Sequence, residues 1–595
     1  MRMELQDFYA GRAFDAYTFF GAHPKTGGAR FAVWAPSARR VQVEGPFGTA
    51  ALTQTHPGVW EGEVPGAEPG MPYQYLVTGA DGWTVGHCDP YGFAMTLRPE
   101  GHSILAEMPG GFTDDDWMAA RTKGFDRPMN IYEVHAGSWK RKPDGSWYSY
   151  AELAELLPAY CRENGYTHLE LMPLAEHPFD GSWGYQVTGF FAPTSRYGSP
   201  AELVRFIDAC HRQGIGVILD FVPVHFAVDG YGLKNFDGTP LYEDPSQGAG
   251  QSEWGSCNFC HGRGEVRSFL QSCADYWLGV FHADGLRVDA VSRLIYLQGD
   301  QAQGINQSGL EFLRFMNDGL QRRHPTALLI AEDSSAYPQV TAPVARGGLG
   351  FDYKWDLGWM NDTLDYFRKS SDERKTNLDR LTFSMLYAWN ERFILPFSHD
   401  ENVHGKATIA QKMYGGYDGK FPQARALYLY MAVHPGKKLD FMGNEFAQLR
   451  EWDENREQDW MILSFPNHDA FRHFRALLHR LYLDNEALWA REYDTEAFRW
   501  ADCDHGARNV CAMVRRGWQT TVLAVFNFGA EEQPAYTLDL PAGRWTLLLD
   551  TDWQCWGGTT VQQNQKKTGT ISRRRPFTVA LPPYSGRLYR LEPKQ

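Results

Sequence analysis

Seven ionisable side chains lie at or just after the ends of short apolar runs. They are Asp220, His225, Arg287, Asp289, Glu332, His399 and Asp400. Each run predicts a β-strand, and parallel strands that close into a barrel bring their carboxyl ends to one rim. A single acid at a strand end is more often a helix cap or a surface group. We nevertheless expect these seven to form one site, because such an accumulation of charge is costly unless it is used.

Arg287 and Asp289 are two residues apart on a predicted strand, so both side chains point to the same face. An arginine beside a carboxylate lowers its pKa by roughly one to three units and keeps it ionised. Asp289 is therefore a candidate nucleophile.

Glu332 follows the apolar run Leu328–Ala331, where partial burial and neighbouring carboxylates would raise its pKa, as a general acid requires. A retaining glycoside mechanism needs a carboxylate nucleophile and a carboxylic acid about 5 to 5.5 Å apart. A third carboxylate, Asp400, is suited to orient ring hydroxyls and to stabilise the oxocarbenium-like transition state. The three acids together predict cleavage of a glycosidic bond.

From about residue 115 the chain alternates between apolar strand, polar turn and amphipathic helix, which is typical of parallel βα units. Seven strands are predicted at Asn130–His135, His168–Pro173, Val217–Val222, Leu286–Val291, Leu328–Glu332, Phe393–Ser398 and Leu439–Met442. The eighth strand is predicted at Phe351–Leu357. Helices are predicted at Ala151–Arg162, Ala201–Arg212, Val266–Phe281 and Leu310–Leu320, with Ser199 as the N-cap of the second. Eight such units predict a (β/α)8 TIM barrel.

Short alternating strands punctuated by turns precede and follow this region and predict β-sandwiches. The expected fold class is therefore multidomain α/β. The expected domains are an N-terminal β-sandwich at 1–112, the barrel at 113–490 and a C-terminal all-β sandwich at 491–595.

Composition excludes several classes of protein. With 58 Lys and Arg against 72 Asp and Glu, the net charge of −14 disfavours nucleic acid and anionic membranes as partners. The 14% aromatic share suits the flat faces of sugars. No window of about 18 apolar residues predicts a membrane span, and the N-terminus does not resemble a signal peptide, so we expect a cytoplasmic protein.

The nine cysteines, from Cys88 to Cys555, are expected to be free thiols. Cys257–His261 matches the Cys-x-x-Cys-His string of haem attachment and half of a zinc site. Without an export signal or a second Cys-x-x-Cys, we favour two loop thiols and expect neither metal nor cofactor. A structural calcium stays open, although no ligand cluster for one is evident.

Four segments resemble the signature segments of the α-amylase superfamily, glycoside hydrolase family 13, in their usual order. They are Asp220–His225, Gly285–Ala290, Ala331–Asp333 and Ser398–Asp400. The resemblance implies that Asp289 is the nucleophile, Glu332 the general acid/base and Asp400 the transition-state stabiliser. It also implies that Asp220, His225, Arg287 and His399 hold the sugar at the cleavage point.

Longer strings are similar to those of the bacterial 1,4-α-glucan (glycogen) branching enzyme family. They are Glu176–Gln186, Ala192–Gly198, Ser398–Lys406, His434–Lys438 and Phe441–Phe446. This similarity implies that Tyr185 stacks on the sugar and that the front sandwich is a carbohydrate-binding module of family 48. Trp183, Trp355, Trp359 and Trp452 are candidate binding platforms, although core packing explains each one equally well.

The resemblance implies transfer of an α-1,4-glucan segment to a 6-hydroxyl, which forms an α-1,6 branch in amylose, amylopectin or glycogen. Hydrolysis differs from this transfer only in that water is the acceptor. A debranching enzyme and a maltooligosyl-trehalose trehalohydrolase therefore stay open, as does a non-catalytic glycan-binding scaffold. Transfer between hydroxyls requires no organic cofactor, and the expected oligomeric state is a monomer.

Overall fold

The computed structural model describes residues 3–246 and 248–593. Its central feature is a closed barrel of eight strands that neighbour one another in chain order. They are β1 Asn130–Val134, β2 His168–Leu171, β3 Gly216–Phe221, β4 Gly285–Val288, β5 Leu328–Ala331, β6 Tyr353–Trp355, β7 Phe393–Phe397 and β8 Lys437–Phe441. The pairings of β3 with β4, β4 with β5, β6 with β7, β7 with β8 and β8 with β1 are parallel. The predicted barrel is confirmed.

Within the part of the chain that the structure describes, seven helices of at least twelve residues accompany these strands. They are Tyr150–Glu163, Pro200–Arg212, Gly264–Gly279, Gln307–Arg323, Leu357–Arg368, Tyr417–Val433 and Pro466–Asp484. The predicted start at Ser199 is confirmed, because its side chain accepts the backbone N–H of Glu202 while Glu202 accepts the backbone N–H of Ser199. This reciprocal cap satisfies two backbone donors at the start of the helix.

The N-terminal region forms two antiparallel sheets. One contains Gly21–Lys25, Gly28–Trp34, Val59–Pro65 and Thr53–His56, and the other contains Gly48–Ala51, Arg40–Gly45, Pro72–Thr78, Thr84–His87 and Ser103–Ile104. Phe31 of the first sheet packs on Tyr73 of the second, with ring centroids 5.2 Å apart and both side chains buried. The two sheets therefore share one apolar core, as in the predicted sandwich.

The C-terminal region is also antiparallel. Six strands, Phe498–Asp502, Val510–Arg516, Thr521–Asn527, Ser585–Pro593, Gly543–Asp550 and Thr568–Ile571, form the larger sheet, and Gln533–Leu538 pairs with Phe577–Leu581. Phe577 packs on Tyr589 across the two sheets, with ring centroids 5.1 Å apart. The predicted all-β sandwich is confirmed.

Contacts divide the chain into two compact units. The first is Met1–Lys123, His135–Pro158 and Glu170–Asp352, and the second is Gly124–Val134, Ala159–Leu169 and Tyr353–Gln595. The predicted domain limits at 112 and 490 stay a prediction, and those at 1 and 595 lie outside the described residues. Within residues 3–246 and 248–593, no helix is both long and apolar enough to cross a membrane.

Candidate active site

Arg287 on β4 organises the site in the first unit. Its Nη1 lies 2.7 Å from both carboxylate oxygens of Asp220 and 2.7 Å from Oδ1 of Asp289. Its Nη2 lies 3.6 Å from Oε2 of Glu332. Asp220 faces Arg287 because the two are in register on neighbouring parallel strands, and Asp289 lies on the same face two residues along. One buried guanidinium thus contacts three carboxylates.

The charges of this cluster stabilise one another. Burial opposes the charge of Arg287, but the neighbouring carboxylates, Asp220 foremost, raise its pKa well above the usual range. Burial likewise opposes the charge of Asp220 and raises its pKa to about 6, although the charge of Arg287 acts to lower it. Removing Arg287 would leave the buried charge of Asp220 without compensation, which costs about 3 to 5 kcal/mol.

Two candidate reacting carboxylates follow the ends of neighbouring strands. The backbone N–H of Asp289 donates to the carbonyl of Phe221, and that of Glu332 donates to the carbonyl of Val288, so the strand pairing extends to both residues. Their side chains keep 13% and 19% of their surface exposed, in contrast to 1% for Arg287. Both carboxylates are therefore accessible to a ligand, whereas the arginine that holds them is not.

Ala290 links these two residues. It adopts φ +47°, a left-handed conformation that costs an alanine roughly 1 to 2 kcal/mol. Its backbone N–H donates to Oε2 of Glu332 at 2.6 Å. The turn that follows Asp289 therefore holds the carboxylate of Glu332 in place.

Tyr185 lies beside the same cluster. Its hydroxyl donates to Oδ2 of Asp220 at 2.6 Å, and its half-buried ring lies 5.7 Å from the guanidinium of Arg287. Gly184 has φ +95°, and a Cβ there would lie 2.5 Å from the carbonyl of Pro173, so only glycine fits immediately before Tyr185. Trp183, also half-buried, precedes this glycine at φ +58°.

The loop that carries Tyr185 is fixed by Arg196. Its guanidinium binds Glu176 at 2.6 Å and Asp180 at 2.7 Å, and its side chain is 2% exposed. The strings Glu176–Gln186 and Ala192–Gly198 therefore contain the two halves of one ion-pair network. Sequence reasoning identified both strings but missed this contact.

His225 is buried beside an exposed aromatic ring. Burial lowers the pKa of His225 to about 4, so its ring is neutral near pH 7. The ring of Trp254, which sequence reasoning missed, lies 5.1 Å away and is 45% exposed. The guanidinium of Arg293 lies 4.4 Å from the centroid of the Trp254 ring, and the side chain of Gln186 donates to the backbone carbonyl of Trp254. Trp254 is therefore held next to a predicted sugar contact.

The segment with the two thiols is more ordered than the predicted loop. Cys257 is buried and pairs with Phe226 in a two-stranded sheet, next to the pairing of Asn258 with His225. His261 contacts the carbonyl of Pro223 through Nε2 at 2.9 Å. This segment therefore supports the residues after β3.

The second unit contains a histidine that lies between two carboxylates. Nδ1 of His399 lies 2.5 Å from Oε1 of Glu133, and the backbone N–H of His399 donates to Oε2 of Glu133 at 2.9 Å. Its Nε2 lies 3.5 Å from Oδ1 of Asp400, whose side chain is 51% exposed. Sequence reasoning missed Glu133, although an acid inside the fully buried strand β1 was a signal.

Three of the candidate aromatic platforms are buried instead. Trp355 and Trp359 are each 1% exposed, and Trp452 is 6% exposed. Trp359 packs on Phe397 within the core of the second unit. For these three the core-packing alternative holds, and only Trp183 keeps an exposed surface.

Comparisons with known proteins agree on one family. Residues 19–92 match "Carbohydrate-binding module 48 (Isoamylase N-terminal domain)", and residues 500–592 match "Alpha amylase, C-terminal all-beta domain". The chain is 46% identical to the 1,4-alpha-glucan branching enzyme GlgB of Thiobacillus denitrificans, over 94% of this chain and 79% of that protein. It is 43% identical to the GlgB of Fusobacterium nucleatum, over 96% of this chain and 95% of that protein.

Solved structures show the same architecture at lower sequence identity. A pullulanase from Anoxybacillus, solved in complex with maltotetraose, aligns with a TM-score of 0.75 at 16% identity. The alignment covers 99% of this chain and 89% of the pullulanase. At this identity the similarity establishes the fold and leaves the reaction to the residues of the site.

Proposed function

Because the chain belongs to the 1,4-alpha-glucan branching enzyme family, we propose that it cleaves an α-1,4 bond of an α-glucan and transfers the freed segment to a 6-hydroxyl. The product is an α-1,6 branch in a glucan such as amylose, amylopectin or glycogen. The observation that carries the cleavage step is the contact of one buried arginine, Arg287, with Asp220, Asp289 and Glu332. The similarity to the GlgB relatives supports the choice of transfer over hydrolysis.

In the first step, Asp289 attacks the anomeric carbon while the bond from that carbon to the leaving oxygen breaks. Glu332 donates its proton to the leaving oxygen, and a β-linked glycosyl-enzyme forms. Arg287 supports this step because its guanidinium holds the carboxylate of Asp289 at a distance of 2.7 Å. Glu332 is suited to the acid role because it is partly exposed and fixed by the N–H of Ala290.

In the second step, Glu332 accepts the proton of a 6-hydroxyl of the acceptor glucan. The hydroxyl oxygen attacks the anomeric carbon and releases Asp289, and the two inversions restore the α configuration. We assign Asp400 to stabilising the positive charge of both transition states, with His399 beside it. Asp400 follows the carboxyl end of its strand, as Asp289 and Glu332 follow theirs.

The remaining predicted residues hold the sugar at the cleavage point. Tyr185 presents a half-buried ring for stacking, and Trp183 adds a second aromatic surface. Asp220 and His225 are assigned to hydroxyl groups of the sugar, because a carboxylate accepts hydrogen bonds and a neutral imidazole can donate one.

Incubation with amylose tests the reaction. We expect the iodine colour to fall while reducing ends stay constant, and new reducing ends to appear only after treatment with an isoamylase. An immediate rise in reducing ends would show that water is the acceptor and would favour a debranching enzyme or a trehalohydrolase. The two GlgB relatives favour transfer over these hydrolases.

Replacing Tyr185 by phenylalanine should shift the acid limb of the pH–rate profile to higher pH by about one unit. The Tyr185 hydroxyl stabilises ionised Asp220, so its loss raises the pKa of Asp220 above about 6. One hydrogen bond contributes about 1 kcal/mol, and one pKa unit corresponds to 1.36 kcal/mol. Cleavage rates measured from pH 5 to pH 9 check this. An equal loss of rate at every pH would contradict it.

The cellular setting and assembly of the enzyme are also proposals. Buried thiols such as those of Cys161 and Cys273 suit the reducing cytoplasm, where we propose that the enzyme acts. We further propose that it is a monomer with sandwich, barrel and sandwich domains at 1–112, 113–490 and 491–595. Fractionation of host cells and light scattering of the purified enzyme test the location and the monomeric state, and limited proteolysis tests the domain limits.

A further inference from the structure

Glu133 is a buried acid that the reaction steps above do not use. It lies on β1, a strand whose five residues are all buried, and its side chain is 1% exposed. In the barrel Glu133 is in register with Phe441 of β8, and its backbone carbonyl accepts the N–H of Met442. A carboxylate costs several kcal/mol to bury unless its charge is compensated.

Both oxygens of this carboxylate contact one residue. Oε1 lies 2.5 Å from Nδ1 of His399, and Oε2 accepts the backbone N–H of His399 at 2.9 Å. Two contacts to one residue fix both the backbone position and the rotation of the ring. A carboxylate at Nδ1 also requires a proton on that nitrogen, since a carboxylate only accepts hydrogen bonds.

The opposite side of the ring faces Asp400. Nε2 of His399 lies 3.5 Å from Oδ1 of Asp400, which is half exposed. Because Nδ1 carries the proton that Glu133 accepts, the ring presents Nε2 towards Asp400 in one fixed orientation. In this orientation Nε2 can contact a sugar hydroxyl that lies beside Asp400.

We propose that Glu133 is a positioning residue of this site, which fixes the orientation of the His399 ring so that Nε2 contacts a sugar hydroxyl beside Asp400. The proposal rests on the proposed function through the sugar-holding role of His399. Glu133 itself does not contact the sugar and acts only through the histidine.

A double-mutant cycle tests this with Glu133→Gln, His399→Ala and the double variant. Glutamine keeps the size of the side chain and removes its charge. We expect E133Q to lower the rate of α-1,4 bond cleavage on the order of 10- to 100-fold, the range of losses when the hydrogen-bond partner of a metal-ligating histidine is removed. In the H399A background, E133Q should change the rate by less than about twofold.

Glu445→Gln is the matched control for loss of a buried acid. Glu445 is buried and accepts the hydroxyls of Tyr132 and Tyr160 at 2.7 Å, in the same unit as Glu133. We expect E445Q to lower the unfolding temperature but to leave the cleavage rate within about threefold of the unmodified enzyme. If E133Q does not fold, Glu133→Asp replaces it, because aspartate keeps the charge and shortens the reach.

The cleavage rate is scored as loss of α-1,4 bonds, whichever acceptor is used. If the enzyme hydrolyses amylose, the proposed transfer is therefore wrong, but the double-mutant cycle still tests the role of Glu133. An equal fold loss from E133Q with and without His399 would overturn the positioning role. A wild-type rate for H399A alone would overturn it as well.

Discussion

Replacing Asp289 by alanine should lower the rate of α-1,4 bond cleavage by at least about 10,000-fold. The substitution removes the group that forms the covalent intermediate, and losses of this size follow removal of a nucleophile. The Arg287 side chain keeps its two contacts with Asp220, so the charge it carries is still compensated. The measurement is cleavage of amylose under single-turnover conditions.

Azide should restore part of the rate of the D289A enzyme. Its small size lets it enter the space vacated by the carboxylate and attack the anomeric carbon directly. A single displacement inverts the α configuration, so the expected product is a β-glycosyl azide. An α-glycosyl azide, or a D289A enzyme as active as the unmodified one, would rule out Asp289 as the nucleophile.

Asp356→Asn is the matched control for this variant. Asp356 also follows a barrel strand, β6, but its carboxylate accepts the backbone N–H of Trp359 and caps the helix Leu357–Arg368. Asparagine caps a helix about as well as aspartate. We expect D356N to keep a cleavage rate within about threefold of the unmodified enzyme, which would show that the position of an acid at a strand end does not by itself create a catalytic role.

Local patterns predicted most of the barrel. Apolar runs bounded by turn residues predicted strands that overlap all eight observed ones, and the period of two placed Arg287 beside Asp289. The shortest of the eight strands is the one predicted at Phe351–Leu357, which has three residues at Tyr353–Trp355. Its charged and aromatic residues hide the alternation because Lys354 and Asp356 are buried in spite of their charge.

Contacts between distant parts of the chain could not be predicted in the same way. Glu133 and His399 are 266 residues apart, and their contact depends on the barrel that brings β1 and β7 next to β8. Trp254 lies in a loop without a periodic pattern, so nothing local indicated that its ring is held beside His225. Periodicity predicts which residues of one strand lie on the same face. Which residues of different strands come into contact depends on the register of the strands and on the closure of the barrel.

Replacing Glu332 by glutamine should lower the rate of amylose cleavage by about 100- to 10,000-fold, the usual range for loss of a general acid. The loss should depend on the leaving group. With an α-maltosyl fluoride donor, fluoride departs without a proton, so the first step should stay within about tenfold of the unmodified enzyme. The second step lacks its base, and the glycosyl-enzyme should accumulate and be detectable by intact mass.

Azide distinguishes the roles of the two carboxylates. It needs no base, so it should release the accumulated intermediate of the E332Q enzyme as an α-glycosyl azide, the opposite anomer to the product of D289A. Equal losses with amylose and with the fluoride donor would contradict the acid/base role.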